Sequence, residues 1–513
     1  MKSAEMMNSL KSLLVLAALI LPALLINLGD RPIYKIQEVR IAETAREMLA
    51  SGDWVVPRYN GELRLQKPPL PYWLTAASYR LAGVTEVAAR LPAALFGLLS
   101  AALLWCWVRR EAGMIEATNS VLTAVASYIG LRYFRSGEAD AMLMFCIGAA
   151  CMLGYDITRG RGDSLRRIAF AFALGFGFLS KGPAALAIPL LTVAVATVLE
   201  KRAGRPAGSI RHYLSLPSLA ILLAAAFGWY LWIAWKFPDI SRQFFTRQVD
   251  ETFISGTHAK PIWWYLAHWP EFFAPWGVLL LPAGWMAFKQ RRAMPPLIRF
   301  AWIWLAVVFV LLAATVNKQM QYALLFAPPL AIILGDYLAN AHGGFARVNR
   351  FLFWLFCLAS LAGIAMALKK SSDIAHALPW LALPLAPLVL QRLLRETAVS
   401  IPVLLVAGVT ATGYLYGEAY LSPEPHKVAA QSIMSAAAGH SPLYQDSALN
   451  DGALSFYAGR IVPPVDSREI FRQLKEHGEI WVIGKEVPDL ADAAVEVAAT
   501  IDDLNLYKLQ AKP

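Results

Sequence analysis

Several charged side chains in this sequence stand alone where apolar sequence begins or ends. Lys67 precedes Pro68-Pro69, Lys181 precedes Gly182-Pro183, and Lys318 follows Asn317. Each is an isolated point charge flanked by Gly, Pro or small polar residues. Such a charge suits a lipid phosphate, and snorkelling of the ammonium to a membrane interface accounts for the same placement. Tyr322 fits either a hydrogen bond to that phosphate or an aromatic belt. Arg58 and Arg64 fit an anionic group or lipid headgroups alike. Asp140 opens an apolar run after Arg135-Ser136-Gly137-Glu138. A helix N-terminus favours an anion there, yet a carboxylate near membrane depth is costly without a use. His258 and His268, with Asp250 and Glu251, match no standard metal-ligand spacing. Cys106, Cys146, Cys151 and Cys357 all sit in apolar blocks and read as small buried residues.

The elements that must position these residues are membrane spans. Of 513 residues 57% are hydrophobic and 16% charged, against about 25% charged in a soluble domain. Mean hydropathy is +0.47. This excludes a disordered chain, a coiled coil and an ordinary soluble enzyme. A spanning helix needs about 20 mostly apolar residues. Apolar blocks near 13–28, 89–108, 118–134, 140–156, 168–180, 184–199, 214–235, 273–288, 300–316, 321–338, 351–368, 377–391 and 400–418 predict about 13 transmembrane helices. The first reads as an uncleaved span, and the pair flanking Lys181 is short. With the N-terminus in the cytoplasm, the even-numbered spans end in six basic loops, among them Arg109-Arg110, Arg159/Arg161/Arg166/Arg167 and Lys289/Arg291/Arg292/Arg299. Basic residues favour the cytoplasmic side. Much of the net charge of +11 is thereby a topology signal, not a nucleic-acid patch.

The reading predicts an all-α polytopic membrane domain over 1–419, with outer loops at about 30–85 and 236–272. Residues 420–513 form a small extracytoplasmic α/β domain, with helix-like stretches at Val428–Ala438 and Arg468–Glu476 and strand-like ones at Glu479–Ile483 and Ala494–Thr500. In the first loop, Ile36, Val39, Ala42, Ala45 and Leu49 recur at helical spacing, with Glu38, Arg40, Glu43, Arg46 and Glu47 on other faces. That predicts an amphipathic helix lying in the interface, closed by Ser51-Gly52-Asp53. Trp263-Trp264-Tyr265 and Trp269 in the second loop read as a membrane-surface aromatic cluster that could also line an acceptor entry.

The run from Glu38 to Met48, then Ser51-Gly52-Asp53-Trp54, Pro57, Asn60-Gly61 and Lys67-Pro68-Pro69-Leu70-Pro71-Tyr72-Trp73, resembles the C-type (GT-C) membrane glycosyltransferases. Within them it is similar to the bacterial protein-mannosyltransferase and aminoarabinose-transferase-like families. Arg135 to Asp140, Ser180-Lys181-Gly182-Pro183, and Asn317-Lys318 with Tyr322 and Pro328 resemble further family segments. The resemblance implies transfer of a sugar from a polyprenyl-phosphate carrier to a glycolipid, such as lipid A, or to a protein, outside the cytoplasmic membrane. It implies Glu38 and Asp140 as the catalytic carboxylates, with Glu43 in reserve, and admits a divalent cation held by Glu38 and Asp140. It implies Lys67, Lys181, Lys318, Tyr322 and Arg58 as substrate contacts. The chain departs from the family pattern at Gln37, where an Asp is usual, and at Gln66, where the aminoarabinose branch carries Glu.

A transporter or flippase is the main alternative class. Transporters often show paired halves and broken helices near the midplane; no such pairing is visible, and the ionisable residues gather at span ends and in the first outer loop. A membrane scaffold presenting the tail is a third reading.

Overall fold

The computed structural model describes residues 2–33, 35–205, 208, 213, 215–239, 242, 246, 259–352, 354–356, 382–394, 397, 399–416, 425–449, 451–486 and 493–511. Asp250, Glu251, His258, Cys357 and most of the expected span near 351–368 lie outside the described residues. The described helices open with α1 (Lys2–Leu25), α2 (Ile36–Ser51), α3 (Leu70–Ala82), α4 (Glu86–Glu111), α5 (Met114–Val125), α6 (Tyr128–Phe134), α7 (Asp140–Thr158), α8 (Ser164–Lys181), α9 (Ala184–Arg202) and α10 (Leu216–Lys236). Among the described residues, seven stretches are long and apolar enough to cross a membrane: Met6–Leu25, α4, α7, α9, α10, Pro296–Ala314 and Met320–Asn340. Shorter apolar helices cover Pro384–Leu394 and Ile401–Tyr416. The chain is a multi-pass membrane protein.

Two details refine the expected spans. The block at 118–134 is two helices, α5 and α6, parted at Ala126-Ser127. The Ser127 hydroxyl accepts the Gly130 N–H at 3.1 Å and so caps α6. The short pair around Lys181 is α8 and α9, joined by Gly182-Pro183 alone. Gly182 takes φ +90°, a conformation glycine adopts at little cost, and its N–H closes α8 on the Phe178 carbonyl. Pro183 then starts α9.

The chain forms two compact units: residues 1–26, 66–68 and 93–417, and residues 27–65, 69–92 and 418–513. The first is helical, with a core that includes Trp304, Leu324, Phe326, Leu330 and Tyr337. At the helix ends read as cytoplasmic, several basic residues are ion-paired: Arg110 to Asp156 at 2.5 Å, Arg161 to Glu111 at 2.6 Å and Arg299 to Glu200 at 2.6 Å.

The second unit joins the first loop to the tail. A small hairpin, β1 (Arg58–Tyr59) and β2 (Glu62–Leu63), turns at Asn60-Gly61, both at positive φ. The tail holds a five-stranded sheet of β3 (Leu443–Asp446), β4 (Pro464–Val465), β5 (Glu479–Gly484), β6 (Ala493–Ile501) and β7 (Leu504–Ala511), in the order β4-β3-β5-β7-β6. The first three are parallel and linked through helices Gly452–Ala458 and Ser467–His477, while β7 runs antiparallel to β5 and β6. Val39, Ala42, Ala45 and Tyr79 share one core with Ile433, Leu454, Phe456 and Trp481.

Two expectations are corrected here. Helix α2 is not a surface helix with solvated charges: Glu38, Glu43, Arg46 and Glu47 are buried with its apolar residues. Tail packing covers the face that the periodicity left polar. Cys146 and Cys151 are buried as expected, but Cys106 is exposed on the apolar helix α4.

Candidate functional site

Helix α2 begins at Ile36 and ends at Gly52, whose φ of +71° and N–H bond to the Met48 carbonyl stop it. Its first turn carries Glu38, which is 0% exposed. Arg90, 1% exposed on α4, donates from Nε to Glu38 Oε1 at 2.8 Å and from Nη2 to Oε2 at 3.3 Å. The same guanidinium binds the carbonyls of Leu28 at 2.8 Å, Arg31 at 2.7 Å and Pro32 at 3.1 Å. Burial alone would raise the Glu38 carboxyl; the charges of Arg90 and Arg31 and the Arg90 hydrogen bonds outweigh it and hold the group at about 2. A general base needs a free oxygen and a pKa nearer neutrality.

One turn on, Arg46 grips Glu43 with both arms, Nε to Oε2 at 2.7 Å and Nη2 to Oε1 at 2.6 Å. Burial pushes the Glu43 carboxyl up, against the pull of Arg46. Arg46 also reaches the Gly459 carbonyl in the tail at 2.9 Å. Glu47 accepts the Gly61 N–H at 3.1 Å and so fixes the hairpin turn. The tail returns two more bonds: Gly452 N–H to Tyr59 Oη at 3.0 Å, and Tyr457 Oη accepting the Ile33 N–H at 2.8 Å.

The first unit assembles a second cluster. Asp140 is the first residue of α7 and Lys181 the last of α8, so the two helix ends meet with an anion at one N-terminus and a cation at one C-terminus. Lys181 Nζ donates to both Asp140 oxygens, at 2.7 and 2.6 Å, and lies 5.3 Å from the centre of the Tyr322 ring. Asp140 is 2% exposed. Ser136 Oγ bonds Glu138 Oε1 at 3.0 Å, and Arg135 holds the Ala23 carbonyl at 3.1 Å, which fixes the approach to α7.

Asp140, Lys181 and Tyr322 thus come together. Lys318, 3% exposed, is held by carbonyls, those of Thr315 and of Lys260 at 3.3 Å. Lys67 is half-buried at the bend before Pro68-Pro69. Arg58 is exposed and bonds the Gly61 carbonyl at 3.1 Å. His268 bonds its own helix at the Trp264 carbonyl, 2.9 Å away. The second-loop aromatics divide: Tyr265 and Trp269 are buried against Phe326, whereas Trp263 is exposed beside Ile262 and Leu266. For a divalent cation the carboxylates fit poorly. Glu38 is bound by Arg90 and Asp140 by Lys181, and the described residues hold no group of three acidic, His or Cys ligands. Sequence reasoning missed Arg90. Its signal was a lone Arg in the apolar run Val87-Ala88-Ala89-Arg90-Leu91, a charge that burial obliges to find a partner.

Comparison with known proteins adds an independent line. Residues 66–232 match the dolichyl-phosphate-mannose-protein mannosyltransferase family. The chain is 31% identical over 368 residues to a protein of Aeromonas salmonicida named undecaprenyl phosphate-alpha-4-amino-4-deoxy-L-arabinose arabinosyl transferase; the match covers 67% of this chain and 64% of that protein. The namesake from Edwardsiella ictaluri is 29% identical, over 72% of this chain and 68% of that one. The crystal structure of ArnT from Cupriavidus metallidurans bound to undecaprenyl phosphate is similar with a TM-score of 0.78 and 22% identity, covering 97% of both chains. The chain therefore has the fold of that crystallised protein, and its residues 66–232 match the dolichyl-phosphate-mannose-protein mannosyltransferase family.

Proposed function

We propose that this protein is a glycosyltransferase that moves a sugar from a polyprenyl-phosphate carrier to an acceptor at the outer face of the cytoplasmic membrane, with lipid A or another envelope glycolipid as the acceptor class. The observation that carries the reading is the buried Asp140–Lys181 pair beside Tyr322, in a fold shared with a protein crystallised with undecaprenyl phosphate. The similar curated proteins named as undecaprenyl phosphate-aminoarabinose arabinosyl transferases match over about two thirds of the chain, and that name supports a polyprenyl-phosphate sugar as the donor.

In this mechanism an acceptor hydroxyl attacks the anomeric carbon on the face opposite the phosphate. The carbon–oxygen bond to phosphate breaks, and its electron pair leaves with the polyprenyl phosphate. Asp140 takes the hydroxyl proton, and Lys181 neutralises the departing phosphate. The resting ion pair couples the two: when Lys181 turns to the phosphate, the Asp140 oxygens are released for the acceptor. Lys67, Lys318 and Tyr322 serve as further contacts to the phosphate. Glu38 anchors the first loop. The N-terminus lies in the cytoplasm and residues 420–513 outside, in the periplasm. Purified protein assayed for transfer from a polyprenyl-phosphate sugar, with mass spectrometry of envelope lipids from cells with and without it, tests the reading. No lipid differing by a sugar and no transfer in vitro would sink it.

A further inference from the structure

The second outer loop carries an aromatic cluster that the mechanism above does not use. Burial divides its members: Trp263 is 61% exposed, whereas Tyr265 is 0% exposed. A belt tyrosine keeps its hydroxyl at the wet interface. The Tyr265 hydroxyl is spent inside the protein instead, donating to the Gln319 carbonyl at 3.3 Å. The same carbonyl accepts the Tyr322 N–H at 3.2 Å. A carbonyl oxygen has two lone pairs, so one atom both closes the turn that carries Tyr322 and ties that turn to Tyr265.

The turn gains from such a tie. Met320–Phe326 is a 3-10 helix of seven residues. Such helices usually stop at about three or four residues, because their hydrogen bonds are poorly aligned. The far end is held by the same loop: Phe326, 0% exposed, meets the rings of Tyr265, Trp269 and Phe273 at centroid distances of 5.7, 5.4 and 6.3 Å. The stretch leading in is laced to the loop as well. Ala259 and Asn317 form an antiparallel bridge, the Lys260 N–H bonds the Val316 carbonyl at 3.3 Å, and Lys318 Nζ bonds the Lys260 carbonyl at 3.3 Å. Tyr322 lies within this braced helix, its ring centre 5.3 Å from Lys181 Nζ. A cation is attracted to the face of a ring, so any rotation of the helix alters the hold on Lys181.

We infer that Tyr265 is a positioning residue: its hydroxyl, acting through the Gln319 carbonyl, sets the Tyr322 ring against Lys181, and the second outer loop thereby governs the Asp140–Lys181 pair. This deepens the function proposed above and rests on it for what the pair does. Tyr265 itself touches neither Asp140 nor Lys181 by any hydrogen bond; its one directed bond is to the turn.

Tyr265→Phe tests this, because it keeps the ring against Phe326 and removes only the hydroxyl. The full chain in nanodiscs is assayed for transfer from a polyprenyl-phosphate sugar, and amide hydrogen exchange is followed over residues 315–326. Loss of the one hydrogen bond should lower kcat about three- to tenfold and speed exchange over that stretch. In a Tyr322→Leu background the same change should cost nothing further, since the two residues act as a unit. A hydroxyl with a merely structural role would cost as much there as in wild type, and that result overturns the inference. Faster exchange with a wild-type kcat overturns it too. If wild-type protein transfers sugar and Tyr265→Phe changes neither rate nor exchange, the brace falls and the function proposed above stands. If wild-type protein transfers no sugar while Tyr265→Phe still speeds exchange over 315–326, that function falls and the brace stands. Should Tyr265→Phe fold poorly, Trp269→Phe, which shrinks the ring against Phe326, carries the same comparison.

Discussion

Arg90 and Glu38, 52 residues apart in sequence, form a fully buried ion pair at 2.8 Å in which the arginine also ties down three carbonyls of the segment between α1 and α2. One side chain therefore fixes the start of α2 and the chain leading into it. The pair also turns Glu38 from an obvious acid into a fixed anion.

Breaking this pair from one side should damage folding more than chemistry. Arg90→Gln and Glu38→Gln each leave a buried partner uncompensated, at a cost of about 3–5 kcal/mol. Thermal unfolding of purified protein should show a clear loss for both. A Glu38→Gln protein of normal stability that has lost transfer would restore Glu38 as the base.

The same pair sets an acid limit. The Glu38 carboxyl is held at about 2, below its ordinary 4.5, so its contribution is present in full above pH 4.5 and fades as pH falls toward 2. At about 1.4 kcal/mol per tenfold in acidity, that contribution is about 3 kcal/mol. Unfolding midpoints measured down the acid range should converge for wild type and Glu38→Gln. Parallel curves would mean that Glu38 is not the group responsible.

Much of this loop was legible in the sequence, and the part that was not has one cause. The helix and its end at Gly52 are local properties, and they stand where periodicity and turn residues put them. The environment of Glu38, Glu43 and Arg46 is not local. Periodicity marks an apolar face but cannot say that the opposite face is covered too, and the covering groups are Arg90 and a carbonyl at Gly459, 413 residues from Arg46. Strands β3, β4 and β7 of the tail were missed; for β3 and β4 the reason is similar, since Leu443–Asp446 and Pro464–Val465 are short and become strands through their pairing partners. In the other unit, Asp140 and Lys181 were picked singly where apolar runs begin or end and Tyr322 through the family resemblance, and the packing supplies their contact.

Asp140→Asn should lower transfer by about a hundredfold or more, the scale of losing a general base, while leaving insertion intact. Lys181→Gln should also lower it, and the double variant should be no worse than the poorer single one because the two act as a unit. Steady-state rates of all three proteins decide this; fully additive losses would separate the two residues.

Gly452 is packed so closely that a Cβ there would fall 2.5–2.7 Å from the Tyr59 ring and hydroxyl. Gly452→Ala should displace Tyr59 and cost about 1–3 kcal/mol. Protease cleavage within 27–65 should accelerate in this variant. An unchanged cleavage rate would show that Tyr59 yields without loosening the loop.

Orientation is tested by reporter fusions at Arg205 and after Pro513. They should report opposite compartments, cytoplasmic and extracytoplasmic. A shared compartment would remove the proposed side of the reaction.

The second unit is built from chain segments separated by some three hundred residues, and this imposes a timetable. The ribosome delivers about 5–20 residues per second, so the first loop waits on the order of tens of seconds for the tail that supplies Gly459 and Gly452. During that interval Arg46 lacks its tail carbonyl and Tyr59 its amide partner. A chain whose synthesis has not reached Gly452 and Gly459 is therefore recognisable by an unfinished loop, and these two residues certify that everything between the loop and the tail has been made.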